Sequence, residues 1–361
     1  MGRTHNFNAG PGALPQEVLE QAQAELLDFR GSGISLLASS HRGPEYSAVH
    51  AETIQSLREL IGGTEDHDIL FMGGGARTQF VLVAWNLLQD GQHGDYLVTG
   101  NWSETAVAEA SKIGDVRTVW SAESAGFTRV PNPGDYAVDP AAAYLHYTSN
   151  NTIRGTQYPA PPDSGDVPLV CDMSSDILSR PVHCQDHDLI YAGAQKNLGP
   201  AGVTVVIVRR SLLERMRTDL PGIFSYRTFA KKDSLLNTPP VFAIYLVGLT
   251  AKHWLERGGL APLAEANARK ARRLYETIDG SDGFYACPVE PASRSAMNVV
   301  FRMRDAALEA RFLEESKAHG FVGLKGHRSV GGLRASLYNA VPESSVEALC
   351  DFLDDFRSRS A

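Results

Sequence analysis

Leu189-Ile190-Tyr191-Ala192-Gly193-Ala194-Gln195-Lys196-Asn197-Leu198-Gly199-Pro200-Ala201-Gly202-Val203-Thr204-Val205-Val206-Ile207-Val208 sets two apolar runs around a turn that carries one lysine. The second run, 203–208, is continuously apolar apart from Thr204, the pattern of a strand buried on both faces. Working outward, Leu169-Val170-Cys171, Tyr144-Leu145-His146-Tyr147, Tyr96-Leu97-Val98-Thr99 and Ile69-Leu70-Phe71-Met72 read as further strands. Helical patterns over 78–88 and 104–112 lie between them. This alternation predicts an α/β fold, a large domain whose mainly parallel sheet is covered by helices. The stretch 121–140 reads as a crossover loop.

Beyond it, 241–278 is helical with a break at Gly258-Gly259. A strand at Asn298-Val299-Val300-Phe301, a helix over 306–319, a strand over 332–337 and a final helix over 343–358 follow. They predict a smaller α/β C-terminal domain. The boundaries expected are 16–259 for the large domain, with 1–15 and 260–361 forming the small one.

At 361 residues the chain has length for two cores. Its net charge of −8 argues against a nucleic-acid partner and against an acidic membrane surface, so an anionic ligand needs a local cluster of cations. Cys171, Cys184, Cys287 and Cys350 form no C-x-x-C pair and read as reduced thiols. Residues 1–7 lack the apolar run of a leader, and the apolar stretch at 241–250 is too short to span a bilayer. A cytoplasmic protein is expected.

Ligands in open α/β sheets collect beyond the carboxyl ends of the strands. Those ends present Gly73-Gly74-Gly75-Ala76-Arg77, then Asn101-Trp102, Asn151-Thr152, Asp172 and Gln195-Lys196. A glycine-preceded helix N-terminus suits a phosphate, a tryptophan a flat ring, a carboxylate a protonated ring nitrogen and a lysine amine an aldehyde. Together these are the parts of a pyridoxal-phosphate site. Taken singly, each has an ordinary reading as turn, core residue, solvated lysine or cap. His183, Cys184, His187 and Asp188 contain metal-ligand residue types, but their spacing favours a polar loop, and no metal is expected.

Longer segments carry a family resemblance. They are Phe7-Asn8-Ala9-Gly10-Pro11-Gly12-Ala13-Leu14-Pro15, Ser39-Ser40-His41-Arg42-Gly43, Ser175-Asp176-Ile177-Leu178-Ser179-Arg180-Pro181, the 191–202 turn, Asn237-Thr238-Pro239-Pro240 and Lys325-Gly326-His327-Arg328-Ser329-Val330-Gly331-Gly332. With them the chain resembles the phosphoserine aminotransferase family, in the fold-type I, class V group of pyridoxal-phosphate enzymes. The resemblance implies that Lys196 holds the cofactor's aldehyde as an imine and moves the proton between substrate Cα and cofactor C4′. Asp172 pairs with the ring nitrogen, and Thr152 bonds near the phenolic oxygen. Ala76, Arg77 and Gln195 meet the phosphate, joined by Asn237 and Thr238 from the other subunit of a homodimer. Arg334 grips the substrate α-carboxylate, while His41, Arg42, His327 and Arg328 hold the distal anion. Position 9 is alanine where some relatives carry serine near the substrate, which leaves its backbone alone to take part.

The activity implied is reversible amino transfer between L-glutamate and 3-phosphohydroxypyruvate, giving O-phospho-L-serine and 2-oxoglutarate in L-serine biosynthesis. It leaves open the 3-hydroxy-2-oxo-4-phosphobutanoate step of pyridoxine biosynthesis. Serine–pyruvate-type aminotransferases are the nearest rival, distinguished by lacking the distal cations. A cysteine desulfurase needs a nucleophilic cysteine on a mobile loop near Arg334, and neither Cys287 nor Cys350 is so placed. A silent binding module would have no reason to keep Lys196, Asp172 and the cations together. A nicotinamide dehydrogenase is excluded by the missing G-x-G-x-x-G.

Overall fold

The computed structural model describes residues 4–360. Residues 1–3, which open the segment expected to carry no leader, and residue 361 lie outside the described residues. The order is β1 (His5–Asn6), α1 (Gln16–Ala24), α2 (Pro44–Ile61), β2 (His67–Gly73), α3 (Ala76–Leu87), β3 (His93–Val98), α4 (Asn101–Ala110) and β4 (Asp115–Ser121). Then come β5 (Tyr144–Thr148), β6 (Leu169–Asp172), β7 (Leu189–Gly193), β8 (Val203–Arg209), α5 (Arg210–Arg215), α6 (Tyr226–Lys231), α7 (Val241–Glu256) and α8 (Leu260–Asp279). The chain closes with β9 (Tyr285–Ala286), β10 (Asn298–Met303), α9 (Ala306–Ala318), β11 (Phe321–Val322), β12 (Leu333–Ser336) and α10 (Glu343–Ser360).

The main sheet has seven strands in the order β2-β8-β7-β6-β5-β3-β4. The pairs β3–β4, β3–β5, β5–β6 and β6–β7 are parallel. The run that reads most plainly as a buried strand, β8, is buried as expected through Val208, yet it runs antiparallel to both β7 and β2. The cause is the short link: residues 194–202 hold no helix, and a parallel return needs a crossover of a dozen residues or more. With β8 reversed between them, β2 and β7 still point the same way. The ends carrying Gly73, Asn101, Asn151, Asp172 and Lys196 therefore open on one edge of the sheet.

The edge strand β4 escapes the sequence reading. Its exposure is mixed along its length, and Asp115, Arg117 and Thr118 face solvent, so no apolar run marks it. The crossover expected over 121–140 begins where β4 ends. Two helix layers cover the sheet. α2 buries Tyr46, Val49, Thr53, Leu57 and Leu60 at helical spacing against α7, where Gly248 leaves no room for a Cβ beside Thr53.

Two of the three buried cores lie against this sheet, and the third draws on Phe7 and residues between Ala271 and Phe356. Phe7 joins it because β1 pairs in parallel with β11. The small sheet runs β12-β10-β9. α8 supplies a buried stripe of Leu260, Leu263, Asn267, Lys270, Ala271, Leu274, Thr277 and Ile278, with three polar residues inside it. Among the described residues, no helix is long and apolar enough to cross a membrane.

Candidate active site

Lys196 sits in the β7–β8 turn with 8% of its surface exposed. Its Nζ donates to Thr152 Oγ1 at 2.6 Å and stands 5.9 Å from the centre of the Trp102 ring. Desolvation pushes the amine down to about 8, opposed by the negative charge of Asp172 and reinforced by the positive charge of Arg334. An amine held near neutrality is a nucleophile at physiological pH; an ordinary lysine is not.

Asp172 ends β6 and is buried. Burial raises its carboxyl, while hydrogen bonds from Ser174 and the charge of Lys196 lower it. The Ser174 backbone N donates at 3.0 Å and its Oγ at 2.6 Å, both to Oδ1. That leaves Oδ2 as the oxygen to meet a ligand. Ser174 Oγ also accepts from Gly193 N at 3.1 Å, which ties the end of β6 to the end of β7.

α3 and α4 begin at the same edge. A Cβ on Gly193 would fall 2.7 Å from Gln195 Oε1 and 3.4 Å from Ala76 N, so Gln195 and the first turn of α3 meet across that glycine. Arg77 follows on the same turn and is exposed. In the first turn of α4, Ser103 Oγ accepts from Thr99 N at 2.9 Å and Gly100 N at 3.0 Å, which fixes the helix entry beside Trp102. Trp102 Nε1 is buried and has no hydrogen-bond partner among the described residues.

From the other side, Arg334 on β12 donates Nη1 to the Thr152 carbonyl at 3.0 Å. Its Nε is buried and unpartnered among the described residues, and burial lowers its proton affinity. A buried guanidinium with a free N–H calls for an anion. Phe127, Arg154, Val300, Gly326, His327 and Arg334 line a cavity of about 120 Å³. Burial and the charges of Arg334 and Arg328 push the His327 ring down. Volume alone would favour the cleft of about 760 Å³ lined by Asp90, Arg215 and Asp219, but none of the chemistry above lies there.

Four expected residues stand apart. His41 and Arg42 precede α2, with His41 Nε2 buried and unpartnered and Arg42 exposed. Asn237 and Thr238 are exposed just before α7. Among the described residues, no hydrogen bond or ion pair joins these four to Lys196 or Arg334 within one chain. His187, considered above as a metal-type residue, has Nε2 on Tyr147 Oη at 2.7 Å and Nδ1 on the His183 carbonyl at 2.9 Å.

The sequence reading missed Ser174 and Tyr338. Ser174 carried a usable signal, a hydroxyl two residues past a strand-end carboxylate. Tyr338 carried none: its Oη donates to the Ala9 carbonyl at 2.7 Å and accepts from Asn298 Nδ2 at 3.3 Å. Through it the segment around Ala9 lies over the lysine; Gly12 N donates to Gln195 O at 2.7 Å, and a Cβ on Gly10 would lie 3.6 Å from Lys196 Cε.

Known proteins share this fold. The profile of the family described as Aminotransferase class-V matches residues 4–349. A phosphoserine aminotransferase of Geobacillus kaustophilus is 53% identical over 361 residues, covering 100% of both chains. One from Desulfatibacillum aliphaticivorans is 52% identical, covering 99% of each. The solved phosphoserine aminotransferase of Bacillus circulans subsp. alkalophilus superposes with a TM-score of 0.98 at 50% identity, over 99% of both chains. The pyridoxal-phosphate-bound phosphoserine aminotransferase of Trichomonas vaginalis gives 0.91 at 38% identity, over 98% of this chain and 100% of that one. A profile match along nearly the whole length, full-length relatives and a buried lysine at a shared strand edge agree: the chain belongs to the class-V aminotransferases, within the phosphoserine aminotransferase family.

Proposed function

We propose that this chain is a pyridoxal-phosphate enzyme that moves an amino group between L-glutamate and 3-phosphohydroxypyruvate, yielding O-phospho-L-serine and 2-oxoglutarate. The observation that carries the reading is the convergence of a depressed amine, a buried carboxylate with one free oxygen and a half-satisfied guanidinium at one strand edge. These residues fit the cofactor. Lys196 offers its amine, Trp102 a ring face with an orphaned N–H, Asp172 a carboxylate for a ring nitrogen, and Gln195, Ala76 and Arg77 a helix N-terminus for phosphate.

Bound there, pyridoxal phosphate supplies a reactive aldehyde and a ring that accepts electrons. Asp172, its carboxylate fixed by Ser174, would keep the ring nitrogen protonated. Lys196 Nζ would take the proton from the substrate Cα and deliver it to the carbon that carried the aldehyde, with Thr152 Oγ1 orienting the amine. Arg334 binds the α-carboxylate, and its bond to the Thr152 carbonyl sets the distance between carboxylate and amine. His327 and Arg328 lie beside it for the distal phosphate or the glutamate γ-carboxylate.

The reading includes a homodimer in which His41, Arg42, Asn237 and Thr238 complete the site of a second copy. Two features support it. Within one chain these residues lie apart from Lys196, and the segment before His41 exposes Leu27 by 85% and Leu37 by 62%. The separate core of Phe7 and residues 271–356 supports a division into 16–259 and 1–15 with 260–361. A cytoplasmic location accords with the reduced cysteines.

The test is an acceptor panel with glutamate as donor. Phosphohydroxypyruvate should exceed hydroxypyruvate, pyruvate and glyoxylate in kcat/KM. Arg42→Ala should cut the phosphorylated acceptor by roughly tenfold or more, as expected for a lost charge-assisted contact, and leave pyruvate almost unchanged. Arg334→Ala should damage every acceptor. Equal losses for all acceptors in Arg42→Ala would remove the distal-anion assignment.

A further inference from the structure

α8 carries a second buried lysine that the proposed chemistry does not use. Lys270 is 3% exposed, and its Nζ donates to the carbonyls of Leu337 at 3.0 Å, Tyr338 at 3.0 Å and Val341 at 3.1 Å. Three acceptors match the three N–H groups of an ammonium, whereas a neutral amine has two. Burial pushes this amine down to about 7, opposed by the charge of Glu343 on α10. Glu343 also accepts from Arg269 at 2.6 Å.

The carbonyls belong to the turn that leaves β12, the strand of Arg334. One turn earlier on α8, Asn267 Nδ2 donates to Asn339 Oδ1 at 2.9 Å and to the Ser179 carbonyl at 2.9 Å. Asn339 N donates to the side chain of Asn197, the neighbour of Lys196, at 3.0 Å, and its Nδ2 to the Leu178 carbonyl at 2.9 Å. Tyr338 reaches the Ala9 carbonyl, and so the segment lying over Lys196. One ammonium thus gathers a turn whose other bonds lead to the guanidinium strand, the lysine loop and the N-terminal segment.

We propose that Lys270 is a positioning residue for amino transfer, its ammonium fixing the turn after β12 and through it the placement of Arg334 against Lys196. The proposal rests on the assignment of Arg334 to the α-carboxylate. A displaced guanidinium grips the α-carboxylate less tightly in ground state and transition state alike, so a buried tether outside the cleft has leverage on KM.

The test is steady-state kinetics of holoenzyme Lys270→Met, alone and combined with Arg334→Ala. Lys270→Met should raise KM for glutamate and for phosphohydroxypyruvate by about fivefold or more, with kcat changed by less than about twofold and cofactor absorbance retained. In the Arg334→Ala background it should add no further rise, the signature of two residues acting through one contact. Should Lys270→Met fail to fold, Asn267→Ala loosens the same turn without emptying a charge site, and KM should rise by about twofold or more. A lower Tm with unchanged KM, or KM effects that multiply in the double variant, would overturn the proposal while leaving the Arg334 assignment standing. An Arg334→Ala enzyme with unchanged KM would overturn that assignment and this proposal with it.

Discussion

Lys196 and Lys270 are buried to a similar degree, 8% and 3% exposed, and loss of water pushes both amines down, to about 8 and about 7. Their surroundings differ in how much of the amine is already committed. Lys196 has one hydroxyl acceptor, Thr152, among the described residues, and faces a cleft with a carboxylate and a guanidinium nearby. Lys270 has three carbonyls, one for each N–H of an ammonium. Burial alone does not separate a reactive amine from a structural one; the count of satisfied N–H groups does. An amine left partly unsatisfied inside a protein is held for something that arrives later.

The widest gap is expected on removal of either amine. Lys196→Ala should lower turnover by at least about 10⁴-fold, the upper range for a positioned proton-transfer group, while Lys270→Met should keep kcat within about twofold. Borohydride treatment of the holoenzyme followed by peptide mapping should place the cofactor on Lys196. A label on Lys270 would break the comparison outright.

A smaller gap is expected from the carboxylates that pull each amine upward. Asp172→Asn should slow single-turnover proton abstraction by roughly 10²–10³-fold, because an uncharged amide does not keep a ring nitrogen protonated. Glu343→Gln, at a largely exposed ion pair, should change kinetics by less than about twofold. Near-normal single turnover in Asp172→Asn would mean that the carboxylate next to Lys196 matters no more than the one next to Lys270.

The gentlest test uses pH. Lys196 attacks an aldehyde only when uncharged, and its proton leaves near pH 8, so cofactor capture by the cofactor-free protein should climb with pH and level off above about 8. The linkage runs the same way. Between about 8 and the ordinary lysine value of 10.5 the unfolded chain binds more protons, so stability of the cofactor-free protein rises with pH across that window and is lost as pH falls toward 8. A capture midpoint near 10 would show that the pocket does not depress this amine.

The strands that end at the site were legible because each is a short apolar run bounded by polar or glycine-rich turns, and because a strand end dictates where Asp172 and Lys196 must lie. The direction of β8 was legible only in the length of the 194–202 link, since an apolar run reads the same both ways. β4 hid behind its exposed Asp115, Arg117 and Thr118. Tyr338 and Lys270 were invisible for a deeper reason. Their bonds run to Ala9 and to the turn after β12, and no local pattern announces partners 329 or 67 residues away.

The pairing of β1 with β11 bears on how the molecule is made. A ribosome delivers the N-terminal strand first, yet its partner, Phe321–Val322, arrives near the end of synthesis. The seven-stranded sheet has all its strands once Arg209 has emerged, so it can begin to close while the chain is still growing. Phe7 has no core to enter until the helices and strands between Ala271 and Phe356 have been made. The segment of Gly10 and Gly12 over Lys196 is therefore among the last parts of the molecule to settle, and a nascent chain halted before β11 would carry a formed sheet with an open, unfinished lysine pocket.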